Sequence, residues 1–362
     1  MNVALFVRRW SRSGGTEKYA FDLAHALVRE GCRVRVFCAE ARVAPASIEV
    51  TELAVSVSRG GWSRFGWIHA AAKAPRQNFD VTISLDRIPG MPWFRAGGGV
   101  HAAWLEARAK YEPGGSIRRW SPVEWVELAL DRRAFQSAER VIFNSAMTLD
   151  DAVARSLVAS ERAVVIRNGV DLQRFRPDAE RRAQLRALLG ATLGRLAVFV
   201  GSAYRRKGLV TAIDAFDQIS TANDRLVIVG DDPRGTSLLQ TARERLGGRL
   251  HVVGHTDAPE GWMQAADAVL LPTRYDSAAN TTLEALACGV PVVTSSKDGN
   301  AEIAPERWMV AQDPASVEEV AISLERAWSA SDAVRAQCRK AAQPWTVERH
   351  VAELLRFATT NR

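Results

Sequence analysis

The stretch Pro272 to Pro291, PTRYDSAANTTLEALACGVP, carries two acids eight positions apart, Asp276 and Glu284. It follows an apolar run, Ala268 to Leu271, that reads as a buried strand ending at Pro272. Thr281 to Cys288 reads as a helix closed by Gly289 and Pro291. Small residues fill the loop between, and small side chains let a ligand approach the backbone. The N–H groups of Asn280, Thr281 and Thr282 are expected at a helix N-terminus, where unpaired donors and the dipole favour a phosphate. Glu284, one turn into the helix, has the chemistry to accept hydrogen bonds from a sugar hydroxyl. An ordinary strand–loop–helix with a solvated glutamate explains the acid spacing equally well.

A second cluster lies upstream. Leu196 to Val200 reads as a strand, followed by Gly201-Ser202-Ala203-Tyr204-Arg205-Arg206-Lys207-Gly208 and a helix. A glycine turn with paired cations suits a diphosphate, because Arg forks across phosphate oxygens and Lys adds a point charge. The plainer alternative is a basic loop with a glycine cap. No Walker pattern is present, which disfavours ATP hydrolysis. Near the start, a strand at Val3 to Val7 leads through Gly14-Gly15 into a helix from Thr16 to Arg29 and a strand from Val34 to Cys38. This is a βαβ opening without the G-x-G-x-x-G dinucleotide fingerprint. His101, in FRAGGGVHAAW, is expected at the carboxyl end of a short strand, where open α/β sheets bind ligands. His255 follows a strand from His251 to Gly254 and by itself reads as a solvated loop residue.

Together these segments resemble family 4 of the retaining glycosyltransferases, of GT-B architecture. The family's hallmark is two acids separated by seven residues, a small-residue helix and a G-[LV]-P-V-[VI] strand, matched here by Asp276, Glu284 and Gly289-Val290-Pro291-Val292-Val293. Arg206-Lys207-Gly208 matches its [RK]-K-G, and Asn168-Gly169-Val170-Asp171 its interdomain crossing. Asp276 replaces the usual Glu, and Asn280 replaces a common Gly. The resemblance implies an α/β GT-B fold, two Rossmann-like doubly wound domains facing a cleft. Residues 1–167 form the acceptor side, with a C-terminal helix of about 345–362 packing back on it, and residues 168–344 bind the sugar nucleotide. It implies that Arg206 and Lys207 stabilise the leaving diphosphate, that Asp276 binds donor-sugar hydroxyls and that His101 positions the reacting sugar. Gly14, Gly15, Ser202, His255, Asn280, Thr281, Thr282 and Glu284 would complete the donor site, with Glu284 on the ribose. No cofactor beyond the sugar nucleotide and no metal is implied, as no DxD is present. Gly201 to Gly208, Tyr275 to Ala279 and Met91-Pro92 look most like enzymes adding glucose to lipopolysaccharide core heptose, so UDP-glucose is the expected donor.

The bulk properties fit. The 362 residues favour two domains. Residues 1–168 hold 24 Lys and Arg against 17 Asp and Glu, and seven of the eleven Trp, whereas the remainder is balanced. A basic, Trp-rich first half suits an anionic glycan or glycolipid acceptor, or peripheral contact with an anionic membrane through residues 59–76 and 105–120. Compositional bias toward arginine is the alternative. No module for nucleic acid is recognisable. The N-terminus reads as a first strand rather than a signal peptide, so a cytoplasmic chain is expected. Four scattered cysteines point to buried thiols. Two other classes remain open, a sugar-nucleotide epimerase and a non-catalytic protein binding lipopolysaccharide or membrane.

Overall fold

The computed structural model describes residues 1–12, 14–43, 48–55, 62–112, 114–118, 121–191 and 193–360. The chain folds as two compact units. The first comprises Met1–Ala109, Pro113–Arg167 and Val347–Arg362, and the second comprises Lys110–Glu112 and Asn168–Thr346.

In the first unit the strands are β1 (Asn2–Phe6), β2 (Arg9–Trp10), β3 (Arg33–Cys38), β4 (Glu40–Ala41), β5 (Glu49–Glu52), β6 (Val81–Ser84), β7 (Trp93–Arg95), β8 (Arg140–Phe143) and β9 (Ala163–Val165). Seven of them form a sheet in the order β5-β3-β1-β6-β7-β8-β9, and β2 pairs with β4 beyond it. Every recorded pairing is parallel. Its helices are α1 (Gly15–Arg29), α2 (Trp62–Lys73), α3 (His101–Tyr111), α4 (Gly115–Arg118), α5 (Pro122–Ser137) and α6 (Ala146–Ala154). A parallel sheet is covered on both faces, which is why β1 and β6 read as unbroken apolar or small-residue runs and are almost wholly buried.

The second unit starts with α7 (Ala179–Leu188) and continues through β10 (Leu196–Val200), α8 (Leu209–Ile219), β11 (Arg225–Val229), α9 (Thr236–Leu246), β12 (Leu250–Gly254), α10 (Pro259–Ala265) and β13 (Ala268–Leu270). Then come α11 (Asn280–Ala287), β14 (Val292–Ser295), β15 (Val310–Ala311), α12 (Val317–Trp328) and α13 (Asp332–Ala342). Its sheet is parallel in the order β12-β11-β10-β13-β14-β15. Strand–helix alternation with short loops forces this doubly wound arrangement, since parallel neighbours need helical crossovers. Among the described residues no helix is long and apolar enough to cross a membrane.

Several sequence expectations change. The strand expected over Val50 to Val57 is β5, Glu49–Glu52, and residues 56 and 57 lie outside the described ones. The stretch 105–120, read as a basic loop, is largely helical in α3 and α4, with 113, 119 and 120 outside the described residues. Residues 59–76, read as a loop followed by a helix, hold α2 over Trp62–Lys73, and residues 59–61 lie outside the described ones. At Asn168-Gly169-Val170 the chain is fixed by the Val170 N–H, which bonds to the Trp345 carbonyl at 2.9 Å.

The last helix, α14 (Val347–Thr360), belongs to the first unit. Val351, Leu354 and Ala358 enter the core beside α1, and Phe357 packs on Trp93. Its seam with α1 contains a buried polar contact. His350 Nδ1 is 2.6 Å from the Arg167 carbonyl, which can only accept, so Nδ1 carries the proton. Nε2, 2.8 Å from the Tyr19 hydroxyl, then accepts. Burial, and secondarily the Arg95 charge, push the His350 imidazole down to about 4. Neutral His350 therefore stabilises the fold above its unfolded pKa near 6.5, and that contribution is lost as pH falls toward 4. The shift corresponds to roughly 3 kcal/mol. Urea unfolding at a series of pH values is expected to show stability falling across this window, with the slope reduced in His350→Asn. An unchanged slope in the variant would assign the acid sensitivity elsewhere.

Candidate functional site

Parallel sheets bind ligands outside the carboxyl ends of their strands, where the strand order reverses. In the second sheet β10 lies between β11 and β13, so the reversal falls between β10 and β13. The loops after these two strands hold Arg206, Lys207 and Asp276. They come together because Gly208 has no side chain: at φ 77°, a Cβ there would collide with the Pro272 carbonyl. The Arg206 carbonyl accepts from the Arg274 N–H at 2.8 Å and the Thr273 hydroxyl at 3.2 Å. Arg206 Nη1 donates to the Tyr275 carbonyl at 3.3 Å. Lys207 crosses the α-carbon of Gly201, where any side chain would displace it.

This clamp brings Asp276 Oδ2 to 3.4 Å from Arg206 Nη1 and 3.6 Å from Lys207 Nζ. Lys207 and Asp276 are each 12% exposed in their side chains, so solvent screens their pairing little. Two cations and one carboxylate leave one positive charge at the strand ends, an arrangement suited to an anion. Ser202 is exposed at the start of the same loop.

The Asp276 loop is itself held by Asp298, which the sequence reading passed over. Asp298 Oδ1 accepts the N–H groups of Ala279 at 2.9 Å and Asn300 at 3.0 Å. Its Oδ2 accepts the hydroxyls of Thr282 at 2.6 Å and Thr294 at 2.9 Å. The neighbouring backbone adds the Asp276 N–H to the Lys297 carbonyl at 2.8 Å and the Gly299 N–H to the Asp276 carbonyl at 3.0 Å. Burial, then the adjacent Asp276 charge, push the Asp298 carboxyl up to about 6 against the pull of those hydrogen bonds. The only local signal for this residue is an Asp-Gly pair just after β14.

α11 starts at Asn280, beside this hub. Asn280 is exposed, and its Oδ1 accepts from Asn168 Nδ2 at 2.8 Å. The N–H groups of Asn280 and Thr281 head the helix, and the Thr281 hydroxyl donates to the Val200 carbonyl at 3.3 Å. Thr282 departs from expectation. Its N–H donates to the Ala279 carbonyl at 3.0 Å and its buried hydroxyl to Asp298, so it shapes the helix start rather than presenting a donor. Glu284 sits half-buried on α11, near enough to Arg174 to favour its charged form. His255 is exposed and lies 3.6 Å from Asp257, in keeping with a solvated loop residue.

In the first unit, Gly14 and Gly15 stand at the N-terminus of α1, past the end of β1. Gly14 has φ 102°, and the Glu17 carboxylate folds back over its α-carbon. His101 is not at a strand end. β7 stops at Arg95, before the glycines, and His101 opens α3. Its N–H donates to Asp131 Oδ2 at 3.0 Å, and its Nε2 lies 2.8 Å from Glu124 Oε2. The other Glu124 oxygen accepts from Arg108 at 3.0 Å, and Asp131 pairs with Arg87. The imidazole is thus held through one nitrogen by a carboxylate on α5. Among the described residues, no cluster of three or more His, Cys, Asp or Glu side chains is placed to hold a metal ion.

Comparison with known proteins bears on the family and the fold. Residues 194–329 match the family described as glycosyl transferases group 1, and residues 13–174 match glycosyltransferase family 4. A protein of Burkholderia thailandensis named as a probable transglycosylase is 30% identical, over 99% of this chain and 97% of its own length. The crystal structure of WaaG, a glycosyltransferase involved in lipopolysaccharide biosynthesis, superposes with a TM-score of 0.81 at 20% identity, covering 99% of both chains. Anabaena HepE, solved in complex with UDP-glucose, gives 0.73 at 18% identity over 99% of this chain and 100% of its own. With two doubly wound domains and a basic loop beside paired acids, the chain belongs to glycosyltransferase family 4 and is a glycosyltransferase of GT-B fold.

Proposed function

We propose that the protein transfers a hexose, glucose being the first candidate, from a UDP-sugar to an anionic glycan or glycolipid such as the lipopolysaccharide core, with retention at the anomeric carbon. The observation that carries this reading is the convergence of Arg206, Lys207 and the α11 N-terminus around Asp276. The sugar nucleotide binds the second unit and the acceptor binds the first. The bound nucleotides of HepE and the lipopolysaccharide role of WaaG favour this donor and acceptor class.

The chemistry follows from charge. Breaking the anomeric C–O bond builds positive charge on the sugar and negative charge on the departing diphosphate, in an oxocarbenium-like transition state. Arg206, Lys207 and the amides of Asn280 and Thr281 stabilise the diphosphate as charge accumulates. Their geometry is set before the ligand arrives, so little reorganisation is needed. Asp276 plays two parts: it balances the cations and accepts from donor-sugar hydroxyls. Glu284 accepts from the ribose, and His101, held by Glu124, orients the reacting sugar. The diphosphate itself takes the acceptor proton.

Peripheral contact with an anionic membrane completes the reading. On α5, Val123 is 61% and Trp125 55% exposed, and the Arg64–Glu127 ion pair at 2.6 Å ties this helix to α2, where Phe65 is 38% exposed. Exposed apolar side chains on neighbouring helices suit a headgroup layer.

Thermal-shift titration with UDP, GDP, ADP and their sugars tests the donor. UDP is expected to raise the melting temperature. Lys207→Ala is expected to weaken UDP about tenfold or more, from loss of a charge-assisted contact. Glu284→Gln should weaken it as well. Well-folded protein unmoved by every nucleotide would exclude this donor site. Asp276→Asn gives the opposite sign: it frees two cations, so UDP affinity holds or rises, while transfer falls roughly a hundredfold. Weaker UDP binding in that variant would reduce Asp276 to a structural role. Co-sedimentation with vesicles containing phosphatidylglycerol should drop in Trp125→Ser, and unchanged sedimentation would remove the membrane contact.

A further inference from the structure

The first unit has a reversal point of its own, and it is basic. β1 lies between β3 and β6, so the strand order reverses between β1 and β6, and the loops after these strands leave the sheet together. One carries Arg8, Arg9 and Arg12, and the other carries Asp86. The Arg8 N–H donates to Asp86 Oδ2 at 2.7 Å, and the Trp67 indole N–H donates to the same oxygen at 3.2 Å. Asp86 therefore serves as the floor that pins β1 to β6.

The neighbouring cations have partners. Arg9 lies 3.5 Å from Glu40, which Arg42 also contacts at 2.9 Å. Arg64 lies 2.6 Å from Glu127. Arg8 differs. Its side chain is half-buried, and among the described residues its guanidinium makes no hydrogen bond and no ion pair. Burial, and next the repulsion of Arg9, push it down from the usual arginine value, with Asp86 opposing and Arg64 adding to the repulsion. A partly desolvated guanidinium crowded by like charge is costly unless an anion completes it. Its fork of donors matches a phosphate or a carboxylate.

We propose that Arg8, backed by Arg9 and Arg64, is a binding residue for an anionic group, phosphate monoester or carboxylate, carried by the sugar acceptor. The proposal rests on the glycosyltransferase reading above and extends it, making the acceptor's charge a specificity element read at the end of β1. Glu17, whose carboxylate lies over Gly14 and whose charge acts on Arg8, has no ion-pair partner among the described residues. It competes with the incoming anion and keeps the site from retaining free phosphate.

Calorimetric titration with glucose, glucose 6-phosphate and glucuronate provides the test, with UDP titrated in parallel. The charged sugars are expected to bind wild type more tightly than glucose, and added salt should weaken them. Whichever of the two binds more tightly identifies the acceptor group. Arg8→Gln should weaken them about tenfold or more, Arg8→Lys should recover part of the loss, and Glu17→Gln should tighten binding. Arg8→Gln should leave UDP affinity unchanged. If Arg8→Gln does not fold, Arg8→Lys and Arg64→Gln must each weaken the charged sugars. The proposal is overturned if glucose binds as well as its charged forms, if neither charged sugar binds, or if the arginine variants bind them like wild type. Failure of UDP to bind wild type would instead strike the donor reading, while the acceptor-anion result stands on its own titration.

Discussion

The second unit depends on a backbone approach that only glycine permits. Gly208, in a left-handed conformation, lets the loop after β10 lie against the Pro272 carbonyl at the end of β13. From that contact follow the hydrogen bonds into the Arg206 carbonyl and the placement of both cations opposite Asp276. A side chain at this position would part the loops and disperse the charges. The binding geometry is thus a consequence of sheet topology: parallel strands on either side of the reversal point deliver two loops to one place.

Charge is then arranged by burial. Asp298 places a carboxylate in the interior and compensates it with two N–H groups and two hydroxyls. Such a group is tolerated only because its acceptor capacity is filled, and filling it ties the start of α11 to the loop after β14. The first unit uses the same device at Asp86, which joins the loops after β1 and β6. In both units an acid beyond the carboxyl ends of the strands ties neighbouring segments together, Asp86 at the reversal point of the first sheet and Asp298 one strand away from that of the second.

The α/β pattern was legible in the sequence because it depends on local periodicity. Leu196 to Val200 is an unbroken apolar run, and it is a strand with those limits. A helix start is equally local where a side chain caps it, as Ser145 does by accepting from the Thr148 N–H three residues on. The polar, basic composition of 105–120 misled, since a helix with charged residues around its surface has little apolar stripe to reveal it. For the candidate site, the glycine spacing and the Arg-Lys pair were visible. The hydrogen bonds that occupy Thr282 and the carboxylate that holds His101 were not, because Asp298 lies 16 residues from Thr282 and Glu124 lies 23 from His101.

By itself the sequence determined the strand–helix alternation, the glycine loops and the chemical groups on them, because each depends on neighbours within a few residues. The tertiary structure decided which of those groups meet. It paired Asp276 with two cations some 70 positions upstream, buried Asp298, bound His350 to Tyr19 across 331 positions, and left Arg8 without an acid while its neighbours found one. Residues brought together by sheet order carry no mark of that encounter in their own surroundings along the chain.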